Sequence, residues 1–390
     1  MRVVVVSAWE PWRTSDGAAF VLDHQLRELA GRHQLTLLSA GAPEAESAVP
    51  AGVPERYGSA DVRWFGRSLP RALDYLGRMA WSARRQEPAH VRYVERPRLL
   101  AAYDGALATG PDVVHLHGWG TARLAARATG VPAVHVAIDP WSANASNRRV
   151  MGVRAPLDGR QAERIEAHER RHYPAATRVV VVTAEDAALV RQASPDARVV
   201  VLPNGVEAGP EPVPASADPP VLGFHGVFDS RANVEAATEL VRDIWPRVRA
   251  EVPATTVLLA GRRPNREVRR LVGNGVELRA DVPDIRPVLS QMSVHVDWMR
   301  SGAGIKNKVL EAMAAGRPVV ASERAAQGIG VGVLVASDTQ VAAARIVRLL
   351  RDPAALREAG AAARARVVDG FSWAANARAV EQLWEQVARG

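Results

Sequence analysis

The chain has 390 residues, 50 Lys or Arg against 42 Asp or Glu, and no cysteine. That length allows two domains with cores of their own, and 47% hydrophobic with 24% charged residues is the balance of a globular chain, not a disordered one. Disulfides, thiolate nucleophiles and Cys-type zinc sites are excluded, and no apolar run approaches the ~20 residues that a membrane helix needs.

The first residues, Met1-Arg2-Val3-Val4-Val5-Val6, are too short a run for a signal peptide and read as a buried strand, so the expected location is the cytoplasm. Short β-branched runs then alternate with amphipathic stretches, which predicts βαβ units and parallel sheets. Strands are predicted at Val3–Val6, Leu35–Ser39, Val113–Leu116, Ala133–Ile138, Val179–Val182 and Val199–Leu202. A helix carrying Leu22, Leu26 and Leu29 stops at Gly31.

Residues 63–98 break this order: nine arginines are interleaved with Trp64, Phe65, Leu73, Tyr75, Leu76 and Trp81. Such a helix either packs its apolar stripe on the first domain or rests on an anionic membrane as a peripheral contact. Pro203-Asn204-Gly205 makes a turn, and residues 208–220 are predicted as a linker. Beyond it, strands are predicted at Val221–Phe224, Thr256–Ala260, Val276–Leu278, Val294–Asp297, Pro318–Ala321 and Val333–Val335. Helices are predicted over 233–250, 306–315, 339–351 and 374–389. Two doubly wound halves place a ligand in the cleft facing the strands' C-terminal ends.

The stretch Ser301-Gly302-Ala303-Gly304-Ile305-Lys306-Asn307-Lys308-Val309-Leu310-Glu311 holds both lysines of the protein; every other basic residue is arginine. Glycines that let backbone amides approach a ligand, followed by a helix start with free N–H groups, suit a diphosphate. Glu311 lies three and four residues after Lys308 and Asn307, on the same helix face, where a carboxylate can accept two hydrogen bonds from a ribose diol. A nucleotide satisfies both ends. The loop lacks the Ser or Thr of a Walker motif, and Ser7-Ala8-Trp9-Glu10-Pro11-Trp12 after the first strand is not a dinucleotide fingerprint.

Gly304 to Val320 resembles the donor-site signature of GT-B glycosyltransferases, in particular retaining glycosyltransferase family 4, in a version similar to exopolysaccharide sugar transferases. Asp112-Val113-Val114-His115-Leu116-His117, Val131-Pro132, Thr183-Ala184-Glu185-Asp186, Pro203-Asn204-Gly205-Val206, Asp281 to Pro287 and Phe371-Ser372-Trp373 occur in that family's order. The resemblance implies an α/β GT-B fold: an acceptor-side Rossmann-like domain over 1–205, a donor domain over 206–370, and a helix over 371–390 returning to the first. It implies sugar transfer from a nucleotide-diphosphate sugar to an acceptor hydroxyl with retention, with no metal or cofactor, in polysaccharide, glycolipid or natural-product biosynthesis.

By position, Glu311 binds the ribose, and Gly304, Ile305, Lys306, Asn307 and Lys308 surround the diphosphate, with Lys308 stabilising its departure. Gly226 and Arg231 belong to the donor domain's first loop, and Gly17 to the loop facing the donor sugar. Three positions depart from the family: Ala303 stands where a second Glu is common, Arg231 alone replaces an Arg and Lys, and Ile138-Asp139 follows the Val-Pro strand in place of His. Asp139 and His117 are the acceptor-side catalytic candidates. His115 and His117 are read as facing opposite sides of their strand, His115 buried and His117 in the cleft. Trp12, Trp119 and Trp141, after predicted strands, are candidate acceptor platforms. The formal charge of +8 suits the anionic donor, and no nucleic acid is expected. The alternatives are a nucleotide-sugar epimerase or hydrolase on the same fold, and a non-catalytic basic surface-binding protein.

Overall fold

In a computed structural model, the structure describes residues 1–12, 17–41, 49–65, 71–142, 158–302 and 304–390. The chain divides into two compact units, Met1–Pro203 with Trp373–Gly390, and Asn204–Ser372.

Unit 1 is built on a seven-stranded sheet in the order β3-β2-β1-β4-β5-β6-β7, every pair parallel. The strands are β1 (Arg2–Ser7), β2 (Gln34–Ser39), β3 (Asp61–Trp64), β4 (Val113–His117), β5 (Ala133–Ile138), β6 (Arg178–Val181) and β7 (Val199–Val201). Central strands of a parallel sheet are covered on both faces, which is why β1 reads as an unbroken valine run. Val3 and Val5 join Leu22, Leu26 and Leu29 of helix α1 (Gly17–Leu29) on one face. Val4 and Val6 point the other way, into a cluster with Leu99, Tyr103 and Leu116. Two further helices matter below: α2 (Arg71–Arg85) and α3 (Asp158–His172).

Unit 2 repeats the plan with six parallel strands in the order β10-β9-β8-β11-β12-β13. They are β8 (Val221–Val227), β9 (Thr256–Arg262), β10 (Val276–Ala280), β11 (Val294–Asp297), β12 (Val319–Ser322) and β13 (Val333–Ala336). After β8 comes α4 (Arg231–Glu239), which continues through a π-helical segment, Leu240–Ile244, into a helix Trp245–Glu251. Pro246 has no N–H to offer the α ladder, so the predicted single helix changes register there. The helices α5 (Asn307–Ala314) and α6 (Pro353–Gly370) meet closely: a Cβ on Gly360 would lie 2.3 Å from the Gly316 carbonyl oxygen.

The final helix, α7 (Trp373–Arg389), packs on unit 1. Ala377, Val380, Leu383, Trp384 and Val387 enter the core shared with α1, β1 and β2. Trp384 is 1% exposed, and its indole N–H donates to His115 Nδ1 at 3.2 Å. We expect Trp384→Ala to cost about 3–5 kcal/mol, visible as a lower urea midpoint for unit 1.

Three expectations change. Strand β3 was not predicted, because Asp61-Val62-Arg63-Trp64 is a half-exposed edge strand with charged residues in alternate positions. Helix α6 was not predicted either; its start is set by Asp352, whose carboxylate accepts the N–H groups of Ala354 and Ala355, both at 3.0 Å, ahead of Pro353 at the first helical position. Residues 208–220 are not a loose linker. Arg364 donates to the carbonyls of Ala208 at 2.8 Å, Gly209 at 3.2 Å and Pro210 at 3.2 Å, and Arg317 donates to that of Val213, which straps the segment along unit 2.

Candidate active site

In unit 2, β11 ends at Asp297 and the chain runs through Gly302 (φ +106°) and Gly304 (φ +71°) into α5. Ala303 lies outside the described residues. Lys306 is the N-cap of α5 and supplies no side-chain cap, so the first helical N–H groups are not claimed by it. Its ammonium instead donates to the Gly304 carbonyl at 2.7 Å, closing the loop upon itself, and Ile305 is buried beside it. Asn307 Oδ1 accepts from Asn204 Nδ2 at 3.2 Å, which ties the helix start to the Pro203-Asn204-Gly205 turn.

Lys308 turns inward. Its ammonium donates to Asn233 Oδ1, lies 3.2 Å from Met299 Sδ and 4.7 Å over the Phe224 ring, and is 4.0 Å from Asp297 Oδ2. Burial pushes this ammonium below the ordinary lysine value, opposed by the carboxylates of Asp297 and Glu311. Gly226 adjoins the cluster: a Cβ there would come 3.0 Å from Asn233 Nδ2. Arg231, by contrast, is engaged at 2.7 Å with Glu235 on the exposed side of α4 and is not part of the cluster.

Glu311, one turn into α5, accepts from His225 Nε2 at 2.8 Å, and His225 Nδ1 lies 3.0 Å from His295 Nε2. A carboxylate can only accept, so His225 carries a proton on Nε2. His295 is fully buried, and desolvation followed by the charges of His225 and Lys308 holds its pKa well below the usual value, so His295 is the neutral member of the pair. Burial pushes the Glu311 carboxyl up, but the His225 hydrogen bond and the charges of His225, Lys308 and Arg262 outweigh it and keep the group below the ordinary range. About a third of the Glu311 side chain remains exposed, at 32%. An oriented, ionised carboxylate with free surface is therefore held one helical turn from the backbone amides of the α5 start.

Sequence reasoning missed His225, His295, Asn233 and Asp297. A histidine in each of two apolar strands, β8 and β11, was the available signal; that the two strands are neighbours appears only in the fold.

In unit 1, His115 and His117 do not face opposite sides. Residues two apart on a strand share a face, and their rings stack at 5.6 Å with His115 Nε2 3.3 Å from His117 Nδ1. The indole N–H of Trp384 makes His115 Nδ1 an acceptor; His115 Nε2–H then donates to His117 Nδ1, and His117 Nε2–H to the Ala18 carbonyl at 2.9 Å. This relay ends on the first turn of α1, beside Gly17, where a Cβ would meet nothing within 4 Å. His117 has no exposed surface in this state, and its place is behind the Gly17 turn.

The relay needs neutral imidazoles. Burial pushes His117 down to about 4, against an ordinary value of 6.5. A depressed folded pKa gives stability that is present above pH 6.5 and lost as pH falls toward 4. We expect the melting temperature to drop across that window and His117→Asn to flatten the drop.

Asp139 follows Ile138, a β-branched residue at φ +69° in a three-residue turn closed by the Asp139 N–H to the Ala137 carbonyl at 2.9 Å. Such a conformation stores about 1–3 kcal/mol. Trp119 Nε1 donates to the Asp139 carbonyl at 3.1 Å and carboxylate at 3.2 Å. Trp141 is core rather than platform: it is 4% exposed and stacked on Trp119 at 5.4 Å. Trp12 is partly buried against the α1 side of the core, and Trp119 keeps some exposed surface.

Residues 15–209, half of the chain, match the family model described as Glycosyltransferase Family 4. The chain belongs to glycosyltransferase family 4. Residues 219–352 match the model described as Glycosyl transferases group 1. No curated protein matches the sequence. Among solved structures, Anabaena Alr3699/HepE in complex with UDP-glucose is 16% identical, with 99% of this chain and 100% of that one covered at a TM-score of 0.63. HepE in complex with UDP is 15% identical, with 99% of each chain covered at 0.66. A trehalose-6-phosphate structure from E. coli, bound with UDP-2-fluoro glucose, is 12% identical, with 99% of each chain covered at 0.67. These likenesses fix the fold as GT-B, two parallel-sheet α/β units. The family 4 protein is accordingly a GT-B glycosyltransferase.

Proposed function

We propose that this glycosyltransferase moves a sugar from a nucleotide-diphosphate sugar to an acceptor hydroxyl with retention of anomeric configuration, in polysaccharide, glycolipid or natural-product biosynthesis. Unit 2 holds the donor. The diphosphate lies against the backbone N–H groups at the start of α5, along Gly304 to Lys308, with Gly226 of β8 packed close to Asn233 beside it. Glu311, oriented by His225, takes the ribose hydroxyls. As the bond to the anomeric carbon breaks, the helix-end amides and Lys308 meet the charge gathering on the leaving diphosphate, so no metal is called for in that step. The observation that carries this reading is the Glu311–His225 contact at 2.8 Å beside a helix start without a side-chain cap, next to the two lysines of the chain, Lys306 and Lys308.

Unit 1 takes the acceptor. Asp139, held in its strained turn by Trp119, is the acceptor-side catalytic group; Trp119 and Trp12 supply apolar surface for the acceptor, and His117 supports the Gly17 turn. The bound UDP and UDP-sugars of the HepE and E. coli structures make UDP-sugars the first donors to test. Incubation of candidate donors with and without acceptor alcohols, read by mass and by the anomeric coupling of the product, separates transfer from epimerisation and hydrolysis. A new product only with acceptor, of the donor's own configuration, is the expected result.

A peripheral membrane contact is favoured by α2. Leu73 is 58%, Tyr75 44% and Leu76 62% exposed, and Arg84 and Arg85 follow on the same helix. Among the described residues no helix is long and apolar enough to cross a membrane. Aromatic and leucine side chains beside arginines suit the headgroup boundary of an anionic bilayer. Sedimentation with anionic but not neutral vesicles, lost in Leu73→Asp/Leu76→Asp, is the expected outcome.

A further inference from the structure

Away from the donor-side cluster, unit 1 carries another concentration of ligating side chains. Glu87, His168 and His172 each present one ligand atom, and these lie within 4.8 Å of one another. His168 and His172 stand four apart on α3, in the run His168-Glu169-Arg170-Arg171-His172, so one helical face bears both imidazoles. Glu87 divides its carboxylate between them: Oε2 is 2.8 Å from His168 Nδ1 and Oε1 is 3.3 Å from His172 Nε2. The three side chains are only 8%, 0% and 14% exposed, in the order Glu87, His168, His172.

The turn that delivers Glu87 is pinned to α3 by other residues. Gln161 Oε1 accepts the Ala89 N–H at 3.0 Å, Gln161 and Arg164 both donate to Ser82 Oγ at 2.9 Å, and Ser82 in turn donates to the Glu87 carbonyl at 2.5 Å. Glu87 is thus presented to the histidines by a fixed backbone.

We propose that Glu87, His168 and His172 form a binding site for a divalent transition metal, with zinc as the ion that suits the donor set. Two imidazole nitrogens and one carboxylate oxygen are a zinc-type set, with water as the fourth ligand. Tetrahedral ligands at ~2.1 Å from zinc stand about 3.4 Å apart, and the three ligand atoms here already lie within 4.8 Å of one another. The neighbouring Glu169 is held by its Oε1, which accepts from the backbone N–H groups of Trp141 at 2.8 Å and Ser142 at 3.2 Å and from the Tyr173 hydroxyl at 3.2 Å. Arg171 reaches Glu87 Oε1 at 3.5 Å, but its side chain is 67% exposed and free to swing into solvent. The metal would staple the turn after α2 to α3.

The test uses tag-free full-length protein, stripped with a chelator and dialysed against micromolar free zinc. One retained equivalent, a raised melting temperature, and the visible d–d absorption of tetrahedral cobalt when cobalt(II) is used are expected. Glu87→Gln and His172→Gln each weaken zinc binding at least about tenfold, since losing a ligand cannot be milder than losing a supporting contact. His33→Gln leaves it unchanged and controls for a site at the N-terminus, where His33 lies 3.5 Å from the Met1 amine. Absence of bound zinc in the wild type, or equal affinity in wild type, Glu87→Gln and His172→Gln, overturns the proposal.

Discussion

Lys308→Met is expected to lower kcat by about 10²–10³, the loss seen when a transition-state charge stabiliser is removed. It also removes most of the thermal stabilisation that a nucleoside diphosphate confers. Methionine keeps the length of the stem and its packing against Phe224 while deleting the ammonium. A second, separable effect follows from Asp297. That side chain is fully buried, and its Oδ2 has no hydrogen-bond partner and lies 4.0 Å from the Lys308 ammonium. Deleting the nearest cation leaves a buried carboxylate uncompensated, at a cost of about 3–5 kcal/mol. Double replacement, Lys308→Met with Asp297→Asn, recovers much of that stability and none of the rate. A melting curve without ligand reads the stability effect and steady-state kinetics the rate effect, so a merely structural lysine would regain its rate in the double variant.

Glu311→Ala is expected to raise the KM for donor by about 10–100-fold with a smaller change in kcat. Hydrogen bonds to a charged group contribute ~1.5–3 kcal/mol, and a ribose remote from the reacting carbon is bound alike in ground and transition states. His225→Phe produces a weaker form of the same change, because it removes the donor that orients the carboxylate at 2.8 Å but leaves the carboxylate itself. Equal losses of kcat in both variants with unaltered KM would place Glu311 at the reacting centre instead of at the nucleoside.

The backbone plan was legible wherever burial imposes a pattern. The valine runs of β1, β4, β6 and β7 are buried or partly buried parallel strands, and they read as such. Helix α5 was legible for a different reason: Lys308 and Glu311 are one turn apart, so helical geometry alone puts them on one face. What escaped needed tertiary knowledge. Glu311 meets His225 across 86 residues and Glu87 meets His168 across 81, and neither pairing leaves a trace in local spacing. Likewise the inward course of Lys308 toward Asn233 depends on where α4 lands. The error over His115 and His117 was of another kind, since the two-residue period of a strand already places them together. Trp141 was misread because a tryptophan after a strand can as well be stacked into the core, and here Trp119 and α3 close over it.

A crystal structure of the enzyme with UDP decides whether a diphosphate docks on the amide-lined start of α5 with its ribose on Glu311. Expected are β-phosphate oxygens within hydrogen-bond distance of backbone N–H groups between Gly304 and Lys308, and both ribose hydroxyls donating to a Glu311 carboxylate still held by His225. UDP bound elsewhere on the protein, or seated there with its ribose turned away from Glu311, would contradict it.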